Sequence, residues 1–315
     1  MADRTHRAAS ESETREQRPP SSTAGTGEPR GPRLVILSDA DPVGRAVAAR
    51  WGAAQPTGLH VEGASVRQLE PGVLVVRRPG PHLHDERLDL RLPAPLLEAH
   101  PTLLFPSIHR SESQTRCFTV HPLGNPGGRA DHGGRPRTLV PTDPRGMAAV
   151  LRALIEVAPS VGLSATFEAT HHGPELIVPA FFAEVAVPEG SEPSDAEVSV
   201  LSSAILGAVP DPRDRVALAV GGGHYAPRFT DLVTARRWAF GHILCRHAFP
   251  DLETTTARAA WEATPGAEGI VYARAQDREQ RTFAGLGAEL RETDAPRRDR
   301  GPARPTSTSL PTSGT

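Results

Sequence analysis

The chain has 315 residues, of which 38% are hydrophobic and 23% are charged, and its formal net charge is -2 at pH 7. A chain of this length and composition can bury a sizeable core, as one large domain or two closely packed ones. The near-neutral charge argues against indiscriminate binding to polyanions, and every fixed cation is an arginine because the sequence contains no lysine.

The two cysteines and the two ends of the chain narrow the class further. Cys117 and Cys245 form no C-x-x-C pair and lie in apolar runs, which argues against a disulfide framework or a thiolate zinc site and fits a reducing cytoplasm. Residues 1–32 are polar without an apolar signal region, and residues 291–315 are rich in Arg, Pro, Ser and Thr. We therefore predict two disordered tails around one domain over 33–290. No apolar run approaches the roughly 20 residues that cross a bilayer, so we expect no membrane partner.

The first half of the predicted domain alternates strands with helices. A buried strand over 33–38 leads through S-D-A-D-P-V-G into a helix over 43–51, with Pro42 in its first turn. A second strand follows over 72–77. The Pro- and His-rich segment 79–84 indicates a loop, in which we expect His82 and His84 to be solvated.

Two further strands carry a histidine at or just past their ends. The strand over 102–106 continues into the polar segment S-I-H-R-S-E-S, which includes His109, and the strand over 116–121 ends at His121. Asp143 is a good helix cap, and the apolar positions that follow it have helical spacing. This helix is predicted to belong to the core.

The central stretch is T-F-E-A-T-H-H-G-P at 166–174. Alternating apolar residues from Leu163 to Ala169 predict a strand with one buried face, which Gly173-Pro174 ends. Neighbouring strand residues face opposite sides, so Glu168 and His172 share a face, and His171 lies on the other face unless the chain turns there. One half-buried and one solvent-facing histidine is the purely structural alternative.

The second half continues the alternation. Strands are predicted over 176–187, 215–220 and 241–245, and helices over 195–206 and 231–240, with weaker helical patterns over 258–262 and 277–289. This order predicts an α/β fold with a mostly parallel sheet and helices on both faces. In such sheets the ligand crevice lies off the carboxyl ends of the strands. The polar clusters around His109, Glu168 and His224 each follow a strand, so we expect them to meet in one crevice.

The residue types in this crevice allow more than one chemistry. Gly221, Gly222 and Gly223 can bring backbone amides close to a phosphate or an oxyanion, although a tight turn explains them equally well, and they match neither G-x-G-x-x-G nor a Walker loop. The imidazoles and Glu168 suit either a zinc site or a metal-free acid and base pair. Because H-E-x-x-H is absent, the spacing of these residues does not distinguish the two kinds of site. Ser111 or Ser113 as nucleophile is a weaker alternative, because G-x-S-x-G is absent.

Five motifs carry a family resemblance. They are H-R-S-E-S with F-T-V-H-P-L-G-N (109–125), E-A-T-H-H-G-P (168–174), G-G-G-H-Y-A-P-R-F-T (221–230) and G-H-I (241–243). In this order, and with the S-D-A-D-P-V-G opening, they resemble the archaeal and plant type of D-aminoacyl-tRNA deacylase over roughly 33–274. The resemblance implies hydrolysis of the ester between a D-amino acid and the 3′ end of tRNA, dependence on zinc, and a fold akin to peptidyl-tRNA hydrolase and nucleoside phosphorylases.

The resemblance also implies roles for individual residues, in a monomer without an obligate protein partner. The implied catalytic residues are Glu168, His172 and His224. The implied zinc ligands are His171, His172, His224 and His242. The implied substrate contacts are His109, Ser111, Ser113, Gly221, Gly222, Gly223, Tyr225 and Arg228.

The sequence departs from the family pattern in two places. The segment after Val185 differs, and the absence of lysine leaves Arg228, Arg236, Arg237 and Arg246 to contact the tRNA backbone. Two alternatives therefore stay open. One is a metal-assisted esterase or amidase acting on a small molecule, and the other is a non-catalytic RNA-binding relative.

Overall fold

Two large sheets flanked by helices, and one small sheet of two strands, make up the described part of the protein. A computed structural model describes residues 33–70, 72–99, 102–111, 114–273 and 277–291. The strands are β1 (Arg33–Ser38), β2 (Gln55–Val61), β3 (Ala64–Glu70), β4 (Val73–Arg78), β5 (Thr102–Ser111), β6 (Cys117–Pro122), β7 (Gly124–Asn125), β8 (Thr138–Leu139), β9 (Ala165–Phe167), β10 (Ala180–Pro188), β11 (Arg215–Gly221), β12 (Trp238–Leu244), β13 (Ala267–Ala273) and β14 (Ala288–Leu290). The helices are α1 (Pro42–Arg50), α2 (Ala94–Ala99), α3 (Pro144–Val157), α4 (Asp195–Gly207), α5 (Pro227–Arg236), α6 (Thr254–Glu262) and α7 (Asp277–Thr282).

The first sheet has the strand order β2-β3-β4-β1-β5-β10-β6-β9. Its four central strands, β4, β1, β5 and β10, run parallel, whereas β3 and β6 are antiparallel to their neighbours β4 and β10. The second sheet, β12-β11-β13-β14, is parallel throughout. Helix α3 packs on both β6 and β12 and so joins the two sheets. The predicted α/β class with a mostly parallel sheet is confirmed, although the strands form two large sheets and a third, two-stranded one of β7 and β8.

The junction between β1 and α1 shows how the sequence sets the local structure. Asp41 caps the helix by accepting a hydrogen bond from the amide of Gly44, and its second carboxylate oxygen accepts from Ser107 Oγ (2.7 Å) and from the amide of Ile108 (3.0 Å). A β-carbon on Gly44 would lie 2.5 Å from the Ser38 carbonyl oxygen, so glycine is required where the helix meets the strand. The cap therefore ties α1 to the strand that carries His109.

Several predicted elements differ from the structure. Strands β2 and β3 form a hairpin that the sequence pattern did not predict, because almost all of Gln55–Val61 is exposed and lacks a buried alternating face. Strand β13 was also missed. Strand β5 runs on through the polar segment to Ser111, since β10 pairs with it along its whole second half. Helix α5 begins at Pro227, before the predicted 231, and Trp238–Leu244 is one fully buried strand.

The prediction that His82 is solvated was wrong. His82 is 3% exposed, its Nε2 donates to the Pro106 carbonyl (3.1 Å), and its ring packs edge-on against Phe105 and Phe182. The predicted tails lie outside the described residues, apart from Arg291. Within the described ranges, no helix combines the length and the apolar character that a membrane crossing requires.

Candidate active site

The floor of the site is one face of the first sheet near the carboxyl ends of β5 and β10. Strand register places Glu184 of β10 opposite Ser107 of β5 and opposite Thr119 of β6, while His109 lies opposite Ala186 and His121 lies opposite Phe182. Positions two residues apart on a strand share a face, so His109, Glu184 and His121 project to the same side. The site therefore occupies a face of the sheet as well as its edge.

The stretch after β9 brings the remaining groups to this face. The amide of Ala169 donates to the His224 carbonyl, and the amide of Ala226 donates to the Phe167 carbonyl, each at 2.8 Å. This short antiparallel pairing, with a bridge between Glu168 and Tyr225, sets the loop after β11 beside Glu168. The glycine-rich loop thus delivers His224 to the carboxylate.

The chain turns at the histidine doublet. His172 has a left-handed backbone with φ of 44°, and its carbonyl accepts from the amide of Gly124 (2.7 Å). His171 reaches Glu168 because strand β9 ends at Phe167 and the chain bends at Thr170, so strand alternation does not extend to the doublet. The turn that the sequence left open as an alternative is the arrangement observed.

Four side chains converge on one point. Glu168 Oε2 lies 3.7 Å from His109 Nδ1, 3.6 Å from His171 Nε2 and 3.6 Å from His224 Nε2. The facing atoms of these four residues all lie within 4.8 Å of one another. The three polar clusters singled out in the sequence are therefore brought together, as expected.

The carboxyl group of Glu168 is buried among histidines, of which His109, 3.7 Å away, has a raised pKa and is the nearest cation. Its side chain is fully buried, and neither carboxylate oxygen accepts a hydrogen bond from a described residue. Burial raises the pKa of Glu168 to about 7, against the opposing attraction of His109 and His121. A buried carboxylate without hydrogen bonds is costly, so a cation beside it, whether protonated His109 or a metal ion, would stabilise the charge.

The histidine doublet is held in defined tautomers. His171 Nδ1 donates to the Ala169 carbonyl and His172 Nδ1 donates to the Gly173 carbonyl, each at 2.8 Å, which leaves both Nε2 atoms as acceptors. Burial lowers the pKa of His171 well below its usual value and that of His172 to about 3. Both rings are therefore neutral at pH 7. Backbone-anchored neutral histidine is the form that binds metal ions.

The cluster of His109, Glu168, His171 and His224 fits a zinc ion. Ligands about 2.0–2.1 Å from a tetrahedral centre are about 3.4 Å apart, close to the 3.6–3.7 Å separations from Glu168. Without a cation, the lone pair of His171 Nε2 would face a carboxylate oxygen. In the metal-free protein, burial opposes protonation of His109, but Glu184 and Glu168 outweigh it and raise its pKa to about 9.

Sequence reasoning did not assign roles to His121 and Glu184. Glu184 lies close to both His121 and the cluster residue His109. Glu184 Oε2 lies 3.4 Å from His121 Nε2 and 3.5 Å from His109 Nδ1, longer than charge-assisted hydrogen bonds. Burial acts to raise the pKa of Glu184, but His121 and His109 hold it well below its usual range. A single carboxylate inside the otherwise apolar run A-F-F-A-E-V-A-V was the signal that could have identified it.

A cavity of about 660 Å³ opens above the cluster and is called the larger cavity below. His109, His171, His172 and His224 line it together with Glu184. Its other walls include Leu83, Ile108, Ser111 and Tyr225. Ser111 Oγ lies 3.1 Å from the Tyr225 hydroxyl. Two of the predicted substrate contacts thus line the cavity and touch each other.

His242, predicted as a zinc ligand, lies outside the cluster. Its Nε2 donates to the Val140 carbonyl and its Nδ1 accepts from Thr170 Oγ, each at 3.0 Å. Burial lowers its pKa to about 3. Both ring nitrogens are occupied, so the assignment of His242 as a ligand was wrong, and its hydrogen bonds instead anchor the segment before His171.

The glycine loop and Arg228 are also placed differently from the prediction. None of Gly221, Gly222 and Gly223 lines the larger cavity; Gly221 has φ of 106° and packs so closely on Ala273 that an added β-carbon would lie 2.1 Å from its carbonyl oxygen. These glycines shape the turn that carries His224. Arg228 lies on the exposed first turn of α5 and does not line the cavity. Ser113 lies outside the described residues.

Comparison with known proteins gives a consistent family. A family model described as D-aminoacyl-tRNA deacylase matches residues 98–289, more than half of the chain. The D-aminoacyl-tRNA deacylase of Thermoplasma volcanium is 36% identical over 169 residues, which cover 53% of this chain and 65% of that protein. That of Methanosphaerula palustris is 36% identical over 216 residues, which cover 68% of this chain and 47% of that protein.

The chain thus spans about half to just under two thirds of the length of these two relatives. A crystal structure described as a conserved protein of unknown function superimposes with a TM-score of 0.74 at 24% identity, covering 84% of this chain and 96% of that one. This likeness supports the fold alone. With the family model spanning the strands and loops that build the site, the chain belongs to the D-aminoacyl-tRNA deacylase family.

Proposed function

We propose that the protein hydrolyses the ester bond that joins a D-amino acid to the 3′ end of tRNA. The observation that carries this proposal is the convergence of three imidazoles on the fully buried carboxylate of Glu168, at the base of a cavity of about 660 Å³. Such a group of acid, base and metal-binding side chains in a cavity is the usual form of a hydrolytic site. The substrate class follows from the family to which the chain belongs.

We place zinc on His109, Glu168, His171 and His224. Zinc held by the three imidazoles, with Glu168 released, or by all four groups with a fifth position open, would supply Lewis-acid polarisation of the ester carbonyl. His171 is oriented for this by its Nδ1 hydrogen bond to the Ala169 carbonyl, and His224 by the pairing of its carbonyl with the amide of Ala169. The remaining face of the cluster opens to the larger cavity, where an ester can enter.

Glu184 and Glu168 suit different tasks because the pKa of Glu184 is lowered and that of Glu168 is raised. Glu184 is ionised across the physiological range and lines the larger cavity, so it is suited to attract the α-ammonium group of an aminoacyl ester. It is too acidic to be an efficient base near neutral pH. Glu168, with a pKa of about 7 in the metal-free site, has the value that suits proton transfer from water. Metal ligand and general base are thus two alternative tasks for this carboxylate.

His172 does not contact Glu168. Its ring packs 4.3 Å from that of His171 and 4.8 Å from that of His121, between centroids, and its free Nε2 points into a second group of three imidazoles. We propose that His172 orients His171 and closes the wall of the larger cavity. A direct catalytic task for His172 stays a prediction.

The direct test compares D-Tyr-tRNA with L-Tyr-tRNA, using the protein with zinc and after treatment with a chelator. We expect fast release of D-tyrosine, slow release of L-tyrosine, and loss of release when Glu168 is replaced by Gln. Equal release of both amino acids, or release of neither, would end the proposal. Hydrolysis of D-tyrosine ethyl ester with the same kcat/KM as the tRNA substrate would favour the small-molecule esterase instead.

The proposed partner is therefore D-aminoacyl-tRNA in the cytoplasm, where translation takes place. We expect the protein to act as a monomer without an obligate protein partner. Light scattering on the purified protein, alone and with added tRNA, measures the oligomeric state directly. A stable dimer whose partner contributes to the cavity would overturn the expectation.

A further inference from the structure

We infer that a second cavity beside the cluster binds the 3′-terminal adenosine 5′-phosphate unit of the tRNA, while the larger cavity binds the amino acid. The second cavity, called the smaller cavity below, has a volume of about 300 Å³. It lies between the loop at Asn125–Arg129 and the segment at Cys245–Asp251. This inference rests on the proposed function and divides its substrate between two sites.

The two cavities meet at the reacting groups. His171 and His224 line both of them, and these two imidazoles also belong to the cluster around Glu168. An ester held at the cluster has an acyl half and an alcohol half that leave the reacting carbon in different directions. Because the two cavities share a wall at the cluster, the acyl half of the ester can occupy one cavity while the alcohol half occupies the other.

The chemistry of the two halves decides which cavity each half takes. The acyl half varies among amino acids, so it needs room and a forgiving apolar lining, which the larger cavity supplies with Leu83, Ile108 and Tyr225. The alcohol half is the same in every tRNA because all tRNAs end in adenosine. A smaller cavity with fixed polar groups is suited to a constant ligand.

The lining of the smaller cavity matches a nucleoside. Gly127 and Gly128 have no side chain, so a flat base can approach the backbone closely. Asn125 and Asp251 offer hydrogen-bonding groups to a base edge or to ribose hydroxyls. The amide of Asn125 is already oriented by donating to the Gly133 carbonyl (2.9 Å), which leaves its oxygen available.

Arg129 is the cation that we assign to the 5′-phosphate of the bound nucleotide. Arg129 lines the smaller cavity and its side chain is 83% exposed. It is held by Asp131, two residues along the chain and itself 53% exposed, in an ion pair that water screens strongly. Exchange of this partner for a phosphate group costs little, and a guanidinium can bind a phosphate through two hydrogen bonds.

The test measures binding of 5′-AMP and of adenosine to the full-length protein by NMR titration or calorimetry. A β-carbon at Gly127 would make ordinary contact with Asp251 Cβ at 3.9 Å, so the larger side chain of Gly127→Leu is expected to occupy space in the smaller cavity. We expect it to weaken 5′-AMP binding at least about tenfold. We expect Arg129→Ala to weaken 5′-AMP about tenfold and adenosine less than about twofold, since only the phosphate contact is lost.

Matched variants control for nonspecific effects. Arg213 is exposed and paired with Asp211 two residues away, as Arg129 is with Asp131, and Gly207 is a glycine whose added side chain meets open space. Arg213→Ala and Gly207→Leu should bind 5′-AMP within about twofold of the unchanged protein. Circular dichroism confirms that each variant is folded.

Three results would overturn the assignment. The first is no 5′-AMP binding at about 10 mM, and the second is unchanged binding in Gly127→Leu. The third is an equal or greater loss in Leu83→Trp, which narrows the larger cavity instead. Because binding is measured without hydrolysis, a protein that binds 5′-AMP in the smaller cavity but releases no D-tyrosine would disprove the proposed function and leave the adenosine site standing.

Discussion

Glu168 Oε2 lies 3.6 Å from His171 Nε2, although strand alternation would place these two side chains on opposite faces. The end of β9 at Phe167 and the bend at Thr170 bring them together, and the hydrogen bond from His171 Nδ1 to the Ala169 carbonyl directs the other ring nitrogen at the carboxylate. A neutral imidazole and a carboxylate that face each other in a buried site repel unless a cation lies between them. Protonation of Glu168, whose pKa is about 7, relieves this repulsion, and a metal ion is the other group that could do so at this position.

The first prediction follows from this relationship and concerns Glu168→Gln. Removal of the buried charge should lower hydrolysis of D-Tyr-tRNA at least about 100-fold and abolish tight zinc binding. The metal-free variant should be at least as stable as the metal-free parent, because a carboxylate without hydrogen bonds no longer has to be buried. Thermal unfolding with and without zinc measures the zinc binding and the stability of the variant. A zinc-dependent rise in Tm as large as that of the parent would contradict the ligand assignment.

The second prediction separates a cluster histidine from an adjacent histidine outside it. His171→Ala should lose zinc, whereas His242→Ala should retain it, because both nitrogens of His242 are already hydrogen-bonded to Thr170 and Val140. His242→Ala should instead lose about 2–4 kcal/mol of stability, since it leaves two buried partners unsatisfied and a void. Metal analysis and denaturant unfolding of both variants give the comparison. Zinc loss in His242→Ala while it stays folded would return this residue to the ligand set.

The sequence predicted the convergence of three motifs, and the physical reason is general. His109, Glu168 and His224 lie near the ends of buried strands, and in α/β sheets such positions collect at one side. The sequence could not predict the bend at Thr170 that redirects His171, because the amides of Ala169 and Thr170 there donate to the distant carbonyls of His224 and Ile243. The role of Glu184 was hidden for a related reason: its importance comes from cross-strand register with β5 and β6.

The assignment of His242 failed for a different reason. Its position in the G-H-I motif follows the family pattern, but a motif does not reveal whether both ring nitrogens are used inside the fold. The same limit applies to the triple glycine, whose sequence suggests an anion-binding loop. In the structure Gly221 is required because a β-carbon would meet the Ala273 carbonyl, so the glycine serves backbone packing.

The third prediction uses that packing. Gly221→Ala should be strongly destabilising and should reduce hydrolysis, because the turn must move away from Ala273 and carry His224 with it. Gly222→Ala is the matched control: it also has positive φ, at 80°, but its added β-carbon meets open space, so the cost should be about 1 kcal/mol. Unfolding and activity are measured for both. Equal effects of the two substitutions would show that backbone conformation, not the close approach to Ala273, sets the requirement.

The fourth prediction concerns the cysteines. Burial, reinforced by Glu168 and Glu184, raises the pKa of Cys117 to about 12, and burial also raises that of Cys245. Because the thiolate is the reactive form, both thiols should react with a thiol reagent at pH 8 far more slowly than free cysteine. Reaction should become fast for both after unfolding in denaturant. Rapid modification of either cysteine in the folded protein, located by mass spectrometry, would show that the surroundings of that cysteine open to solvent.

The fifth prediction is a pH dependence of stability that His242 causes. Burial lowers its pKa to about 3 in the folded protein, against about 6.5 when unfolded, so between these values the unfolded state binds more protons. Stability therefore falls as the pH drops below about 6.5, by up to about 1.4 kcal/mol per pH unit from this residue alone. Other buried histidines with lowered pKa values add slopes of the same sign, whereas His109 and His121, whose pKa values are raised, act in the opposite direction. The measurement is therefore the difference between the parent and His242→Gln, each unfolded by denaturant at pH 4.5 to 7.5. The variant should be less stable at pH 7.5 and should lose less stability on acidification. Parallel pH curves for the two proteins would show that His242 takes up a proton in the folded state, against the tautomer fixed by Val140 and Thr170.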